Sequence, residues 1–154
     1  MKLKKLDNYY KQALAVAEMS PDEQKKVGAL LINSNTGAVL GSGYNGFVRG
    51  AADHLLPKTR PDKYIYMVHA ETNLIFNGFR HGVIAEGCFV FCTLSPCINC
   101  CRSLYQSGIK KVVFKDKYRD FDNQLEMLDL KLDITMIGDY YVLDITPRQD
   151  LLKS

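Results

Sequence analysis

The chain has 154 residues, of which 47% are hydrophobic and 24% are charged, so it can bury one sizeable core, and a wholly disordered chain is excluded. Its 20 Lys and Arg against 17 Asp and Glu give a net charge of +3, without the concentrated basic face of a dedicated nucleic-acid binder. No apolar run reaches the ~18 residues that span a bilayer, and the opening MKLKKLDNYYK lacks the apolar segment of a signal peptide. We therefore expect a cytoplasmic protein with no nucleic-acid or membrane partner.

The N-terminal part of the chain predicts a helix followed by a β-hairpin. Leu6, Tyr10, Leu14 and Ala17 recur at spacings of three and four, which places them on one face of a helix. The stretch Ser20-Pro21-Asp22 is expected to end this helix. Two strands are then predicted at Val27–Ile32 and Ala38–Gly41, joined by a turn at 34–37.

The rest of the chain alternates strands with helices after a long loop. The loop, 41–63, is rich in Gly, Pro, Arg and Asp, and a loop of this length is usually functional. The patterns that follow predict helices at about His69–Phe79, Cys97–Gln106 and Gln124–Leu130, and strands at Cys88–Cys92, Lys111–Phe114 and Asp133–Ile137. The tail after Asp139 predicts nothing definite, and Pro147 is expected to break any strand there. Strands alternating with helices favour an α/β fold with a mixed sheet and helices on both faces.

All five cysteines lie close together in the middle of the chain, at Cys88, Cys92, Cys97, Cys100 and Cys101. An odd and clustered set in a cytoplasmic chain does not suit a disulfide framework, which ties distant segments together. The cluster therefore points to metal or thiol chemistry.

Two short motifs can supply a zinc site. His69-Ala70-Glu71 opens one predicted helix, and Pro96-Cys97-Ile98-Asn99-Cys100 opens another directly after a strand. Zinc accepts imidazole and thiolate ligands in a tetrahedron, and a catalytic site keeps one position for water. His69, Cys97 and Cys100 are the candidate ligands, and Glu71 remains as a carboxylate suited to moving protons. This order of motifs is the signature of zinc-dependent nucleobase deaminases.

Other interpretations of these residues stay open from the sequence. A Cys-x-x-Cys pair after a strand also suits a thioredoxin-like redox site, although that leaves the His-Ala-Glu motif unexplained. A structural zinc would need a fourth protein ligand, for which Cys92, Cys101 or His81 could be proposed. Cys88 and Cys92 are spaced like core residues of a strand, Cys101 is expected to pack inside, and His54 and His81 are expected at the surface.

The chain resembles the deoxycytidylate (dCMP) deaminases of the cytidine deaminase-like superfamily over roughly residues 5 to 138. Besides the two zinc motifs, the matching segments are Lys26-Val27-Gly28-Ala29, Gly43-Tyr44-Asn45-Gly46-Phe47, Thr93-Leu94-Ser95, Ser107-Gly108-Ile109 and Asp116-Lys117-Tyr118. The resemblance implies one deaminase domain over 1–154. It also implies a three-layer α/β/α sandwich around a five-stranded mixed sheet. The implied reaction is zinc-dependent hydrolysis of dCMP to dUMP and ammonia, which supplies thymidylate synthesis in the cytoplasm, or in the host cytoplasm if a phage encodes the protein.

The same resemblance implies site residues and regulation. Glu71 is implied as the proton carrier, and the substrate residues are implied to be Asn45, Ala70, Ser95 and Tyr118. Lys25 and Lys26 are candidates for the substrate phosphate, and solvated surface charges are an equally good interpretation of them. The family is typically a homohexamer, activated by dCTP and inhibited by dTTP with Mg²⁺. The implied regulatory residues are Tyr44, Gly46, Phe47, Arg49, His54 and Arg80.

Two departures from the family pattern bear on these expectations. Some phage members hold an extra structural zinc through an early cysteine pair, but the stretch from Met19 to Lys26 has no cysteine, so one zinc per chain is expected. Val48 stands where many members have proline, next to Arg49 and Gly50. The remaining alternatives are a tRNA adenosine deaminase, a free-base deaminase and a nucleotide-binding regulatory subunit without activity.

Overall fold

The structure of the protein is a computed structural model, in which residues 1–149 are described; the last five positions of the domain predicted over 1–154 lie outside the described residues. Within 1–149 there are three α-helices: α1 (Leu3–Ala17), α2 (Ala70–Arg80) and α3 (Ile98–Gln106). The same residues form six strands: β1 (Gly28–Asn33), β2 (Val39–Tyr44), β3 (Cys88–Leu94), β4 (Lys111–Asp116), β5 (Leu130–Ile137) and β6 (Tyr140–Pro147). Short 3₁₀ turns occur at Asp53–Leu55, Asp62–Ile65 and Phe121–Gln124.

The six strands form one mixed sheet in the order β2-β1-β3-β4-β6-β5. The neighbours β3 and β4 are parallel and are joined through α3, whereas all other neighbours are antiparallel. α1 packs on one face against Phe89 and Phe91, and α2 and α3 cover the other face, where they meet Cys88, Val90 and Cys92. The alternation along β3 therefore separates two cores, and the three-layer α/β/α architecture is confirmed.

The number of strands and one helix differ from the sequence prediction. The sheet has six strands rather than five, because the tail forms β6 between β4 and β5, with Pro147 as its last residue. Val142 faces one core and Leu143 the other, as expected for an interior strand buried on both faces. The predicted helix Gln124–Leu130 is wrong. The segment folds back on β5 instead, where the Leu132 amide donates to the Leu125 carbonyl at 2.8 Å.

Close packing of α2 on the hairpin sets the position of that helix. A Cβ atom on Gly43 of β2 would lie only 2.5 Å from the Leu74 amide nitrogen and 2.6 Å from the Ala70 carbonyl oxygen. Only glycine allows this approach without a shift. As a result, the start of α2 lies near the carboxyl end of β3 and the start of α3, where the two predicted motifs meet. None of the helices within residues 1–149 has the length and apolar character that crossing a membrane would require.

Candidate active site

The three predicted zinc ligands come together at the starts of α2 and α3. His69 is the residue before α2, Cys97 is the residue before α3, and Cys100 lies in the first turn of α3. His69 Nδ1 lies 3.3 Å from Cys100 Sγ and 3.5 Å from Cys97 Sγ, and the three ligand atoms lie within 4.8 Å of one another. A tetrahedral zinc with Zn–N of about 2.1 Å and Zn–S of about 2.3 Å requires N–S separations of about 3.6 Å. The donor set and its geometry therefore fit zinc.

The electrostatics of this cluster also suit a cation. A hydrogen bond from Cys100 lowers the pKa of Cys97 to about 4, against the effect of burial and with a further contribution from His69. The pKa of His69 is raised, mainly by its hydrogen bond to Cys97 and despite its own burial. The Cys100 amide at the start of α3 also donates to Cys97 Sγ at 3.4 Å. The helix start thus favours a thiolate at Cys97, which is the form of cysteine that binds metal. The hydrogen bond from Cys100 to Cys97, together with burial, raises the pKa of Cys100, so this cysteine has to release its proton when it binds zinc.

The residues considered for a fourth protein ligand are engaged elsewhere. Cys101 is fully buried in the core between the sheet and the helices, as predicted. His81 is exposed at the end of α2 and contacts the Asn77 carbonyl at 2.8 Å. Cys92 contacts Glu71 rather than the cluster. Among residues 1–149, His69, Cys97 and Cys100 are the one group of His, Cys, Asp and Glu side chains close enough to share an ion, which leaves a fourth position open.

Glu71 is a buried carboxylate beside this cluster. It lies in the first turn of α2, its side chain is 4% exposed, and Cys92 Sγ donates to its Oε1 at 3.0 Å. Burial raises the pKa of Glu71, and hydrogen bonds from Cys92 and its own backbone amide offset this only in part. A carboxyl group whose pKa is moved upward toward neutrality is suited to accept and return a proton.

A cavity of about 600 Å³ opens over the cluster and Glu71. Its volume is in the range of small-molecule sites, roughly 300–1,000 Å³. Of the predicted site residues, its wall contains His69, Glu71, Cys97, Asn45, Ala70, Ser95, Tyr118 and Lys25. Lys26 is exposed and does not line the cavity. The structure thus brings together residues from five separate segments and leaves one of the two candidate phosphate lysines outside.

The internal hydrogen bonds of Asn45 limit what it can offer a ligand. Its Nδ2 donates to the Lys25 carbonyl at 2.9 Å and to Asp22 at 3.3 Å, and its Oδ1 accepts from the Val27 amide at 2.8 Å. Both amide donors are therefore used within the protein, and one lone pair of Oδ1 remains. Asn45 can accept a hydrogen bond from a ligand hydroxyl, but it has no donor to spare.

Ser95 and Tyr118 form another part of the wall. The Ser95 hydroxyl accepts a hydrogen bond from the Tyr118 amide at 2.8 Å, which ties the end of β3 to the segment after β4. The Tyr118 ring packs edge-on against Phe121 with the ring centroids 5.6 Å apart, and its hydroxyl donates to Gln124. Tyr118 is thus held at the cavity with its ring fixed in orientation.

Several wall residues were missed from the sequence. Arg60 and Arg119 are exposed and line the cavity at its open side, Arg60 from the long loop and Arg119 directly after Tyr118. Deeper in the wall, Lys63 Nζ lies 2.6 Å from Asp22 Oδ2, and both side chains are at most 4% exposed. Burial alone would raise the pKa of Asp22, but hydrogen bonds from Lys63 and from two backbone amides outweigh it and lower the pKa. Arg119 could have been predicted as a wall residue, because it directly follows the Asp-Lys-Tyr segment assigned to the substrate site.

A second cavity of about 630 Å³ collects most of the predicted regulatory residues. It is lined by Tyr44, Gly46, Phe47, Arg49 and Arg80. Arg49 donates to the Asn77 side chain at 2.6 Å, which joins the loop to α2. His54 is exposed, as predicted for a surface residue, and does not line this cavity.

Comparison with known proteins agrees with this geometry. Residues 3–116 match the family model for the cytidine and deoxycytidylate deaminase zinc-binding region. Deoxycytidylate deaminase of Homo sapiens is 38% identical over 133 aligned positions, covering 77% of this chain and 73% of the human chain. The corresponding enzyme of Mus musculus is 38% identical over 131 positions, covering 76% and 72%.

Solved structures show the same fold. The crystal structure of dCMP deaminase from the cyanophage S-TIM5 in complex with dCMP and dUMP is similar with a TM-score of 0.68 and 30% identity, covering 80% of this chain and 90% of that chain. A cytidine deaminase from Burkholderia pseudomallei, with 20% identity and a TM-score of 0.53, covers 98% of this chain and 96% of its own and supports the fold alone. The chain belongs to the family of cytidine and deoxycytidylate deaminases, and it is a deaminase.

Proposed function

We propose that the protein hydrolyses dCMP to dUMP and ammonia with one zinc ion held by His69 Nδ1, Cys97 and Cys100. The observation that carries this proposal is that His69, Cys97 and Glu71 line one cavity together with Lys25, Arg60 and Arg119, while the buried Cys100 completes the ligand group behind the wall. When bound, zinc supplies a Lewis acid that makes water nucleophilic at neutral pH. The family model and the deoxycytidylate deaminases that the chain resembles support this assignment.

Glu71 carries the protons of the reaction. It takes a proton from the attacking water and delivers it to N3 of the pyrimidine. It then takes the remaining proton of the hydroxyl now bonded to C4 and delivers it to the amino group, which leaves C4 as ammonia. Water oxygen is thereby bonded to C4, the C4–N bond is broken, and Glu71 ends in its starting form. Burial keeps this carboxylate out of bulk water and raises its pKa, which brings it closer to the pKa values of the groups with which it exchanges protons.

The other wall residues orient the nucleotide. The backbone amide of Ala70 is unpaired by the geometry of a helix start, so it can donate to a base carbonyl. The remaining lone pair of Asn45 Oδ1 accepts a hydrogen bond from the 3′-hydroxyl of the deoxyribose. Ser95 accepts a hydrogen bond from the Tyr118 amide and so holds Tyr118 against the nucleotide. Arg60, Arg119 and Lys25 are positioned at the open side for a phosphate, for which charge-assisted hydrogen bonds are the strongest recognition available.

Ammonia release from a panel of substrates tests the proposal. The purified zinc protein is supplied with dCMP, deoxycytidine, cytosine and a tRNA anticodon stem. Turnover of dCMP well above the other three is expected. Preferential turnover of the tRNA stem or of free cytosine would replace the proposal by one of the alternative deaminases, and no ammonia from any of them would favour the inactive regulatory subunit.

We further propose that the second cavity holds a regulatory nucleoside triphosphate with Mg²⁺, with dCTP as activator and dTTP as inhibitor. Arg49 and Arg80 supply cationic groups at this cavity. Its wall contains Tyr44 and Gly46, the two chain neighbours of Asn45, which lines the substrate site. A ligand there can shift Asn45 without touching the zinc ligands. The loss of His54 from the wall leaves Arg49 as the main loop residue for the phosphates.

We also propose that the protein assembles as a homohexamer in the cytoplasm. The outer face of α2 and the turn after it expose large apolar side chains, with Phe76 57%, Phe79 54% and Ile84 77% exposed. An apolar patch of this kind is typical of an interaction surface. Light scattering on the purified protein gives the mass, and a monomer at all concentrations would contradict the assembly.

A further inference from the structure

Cys92 makes a contact to the reaction centre that the general motif of the family does not include. It lies on β3 beneath the first turn of α2, it is fully buried, and its Sγ lies 3.0 Å from Glu71 Oε1. Cys100 also interacts with the Glu71 carboxylate, but its sulfur is one of the candidate zinc ligands, whereas Cys92 is not. β3 is held on both sides by β1 and β4. The contact therefore joins a flexible side chain to the middle of a rigid sheet.

The thiol of Cys92 is the donor in this contact. Its burial, and then the neighbouring charge of Glu71, raise the pKa of Cys92 well above its ordinary range, so the sulfur keeps its proton. The S–H group is thus directed to the carboxylate.

We propose that Cys92 is a positioning residue for the reaction: it fixes Glu71 Oε1 and leaves Oε2 to exchange protons with the substrate. This inference rests on the proposed function, in which Glu71 is the proton carrier. A proton carrier must stand within about 2.6–3.2 Å of the atom it serves, and a misplacement of about 1 Å can cost about 100-fold in rate. A glutamate side chain has three torsions, and the thiol removes the freedom that would let the carboxylate leave this position.

Cys88 provides a matched control for a role in packing alone. It is the same residue type on the same strand and the same face as Cys92, and it packs in the same core. Its Sγ donates weakly to the Ile84 carbonyl at 3.7 Å and contacts no residue of the site. Replacing either cysteine removes a buried sulfur, but only one replacement removes a hydrogen bond to Glu71.

The experiment compares Cys92→Ala, Cys92→Ser and Cys88→Ala as zinc-loaded enzymes with dCMP as substrate. We expect Cys92→Ala to lower kcat at least about tenfold with KM nearly unchanged. Cys92→Ser keeps an O–H donor and is expected to recover most of kcat. Cys88→Ala is expected to keep kcat, with a melting temperature that falls less than that of Cys92→Ala, because Cys92 is more deeply buried and hydrogen-bonds Glu71. An unchanged kcat in Cys92→Ala, or the same loss in the Ser and Ala variants, would overturn the proposal.

Zinc content and melting temperature are measured for every variant. If Cys92→Ser does not fold, Cys92→Val takes its place, because valine fills the site without a donor. It is expected to lose kcat like Cys92→Ala, and wild-type turnover in it would overturn the proposal.

Glu71→Gln separates this inference from the proposed function. Wild-type turnover in Glu71→Gln would show that Glu71 is not the proton carrier, and the proposed function would fail with it. If Glu71→Gln loses most of its turnover but Cys92→Ala keeps its kcat, the proposed function is supported and only the role of Cys92 is refuted. Because Cys92 acts through Glu71, adding Cys92→Ala to Glu71→Gln is expected to cause no further loss.

Discussion

The two cavities meet at the segment 44–46, where Asn45 lines the first and Tyr44 and Gly46 line the second, yet their walls are held by different contacts. The wall over the zinc cluster rests on a buried network in which Asp22 contacts Lys63 at 2.6 Å and Asn45 at 3.3 Å. The wall of the second cavity depends on exposed groups, with Arg49 joined to Asn77 and Val48 65% exposed. Buried, fully paired polar groups give one fixed arrangement, whereas exposed contacts break and re-form at little cost. This difference suits the first cavity to the proposed chemistry and the second to the proposed regulatory ligand.

The zinc cluster is where a change has the largest expected effect. Cys97→Ala and His69→Ala each remove one of three protein ligands, so both variants are expected to lose zinc and all measurable turnover. Elemental analysis and ammonia release are the measurements. Cys88→Ala, which removes a cysteine of the same core outside the cluster, is expected to retain both. Full zinc occupancy in Cys97→Ala would refute the ligand assignment.

Loss of the proton carrier has the next largest expected effect. Glu71→Gln is expected to lower turnover by at least 10²–10⁴-fold, the usual contribution of general acid–base catalysis. Zinc content and dCMP binding should remain, since Glu71 is outside the ligand group. Glu86→Gln serves as control, because Glu86 is exposed and lies away from the cavity. Near-normal turnover in Glu71→Gln would exclude the role.

The ion pair beneath the first cavity tests the contrast between the two walls directly. Lys63→Met leaves Asp22 charged and buried without its partner, which typically costs about 3–5 kcal/mol of the free energy of unfolding. Arg49→Ala breaks the exposed contact of the second wall and is expected to leave the free energy of unfolding almost unchanged. Urea unfolding of both variants gives the comparison. Equal losses would mean that the two walls are equally rigid.

Arg60 and Arg119 at the first cavity are expected to affect turnover less than the zinc ligands or Glu71 do, and to affect mainly substrates that carry a phosphate. Arg60→Ala and Arg119→Ala should each lower kcat/KM for dCMP by about ten- to a hundredfold, the worth of a hydrogen bond to a charged group. Turnover of deoxycytidine, which has no phosphate, should change little. Lys26→Ala is the matched control, because Lys26 does not line the cavity. Equal losses on the two substrates would remove these arginines from the phosphate site.

The second cavity is expected to give the smallest effect, and one that depends on effectors. We expect dTTP with Mg²⁺ to raise the dCMP concentration for half-maximal rate about fivefold or more, and dCTP to lower it, as is typical of coupled sites. Arg49→Ala and Arg80→Glu should weaken both effects with zinc content unchanged. Rates measured at low dCMP across a titration of each nucleotide provide the test. Indifference to both nucleotides at saturation would show that this wall has no regulatory ligand.

The metal cluster could be predicted from short motifs because its geometry is local. Cys97 and Cys100 lie at the start of α3, and His69 and Glu71 lie at the start of α2. The residue types and their spacing are therefore enough to predict a zinc site with a carboxylate beside it. The buried strands were visible for a similar reason, since β1 and β3 are continuous apolar runs. Helix Gln124–Leu130 failed because its apolar spacing also suits a turn that packs on β5.

Residue types and their spacing along the chain thus indicate a zinc deaminase by themselves, because catalysis at zinc demands a few donor atoms at set spacings. Four other features come from the tertiary structure alone. β6 lies inside the sheet, and Lys26 and His54 do not line the cavities. Arg60 and Arg119 line the same cavity, and Cys92 donates a hydrogen bond to Glu71. Each of these depends on segments far apart in the chain. Their contacts are set by how α2, α3 and the long loop pack on the sheet, and no local pattern records that packing.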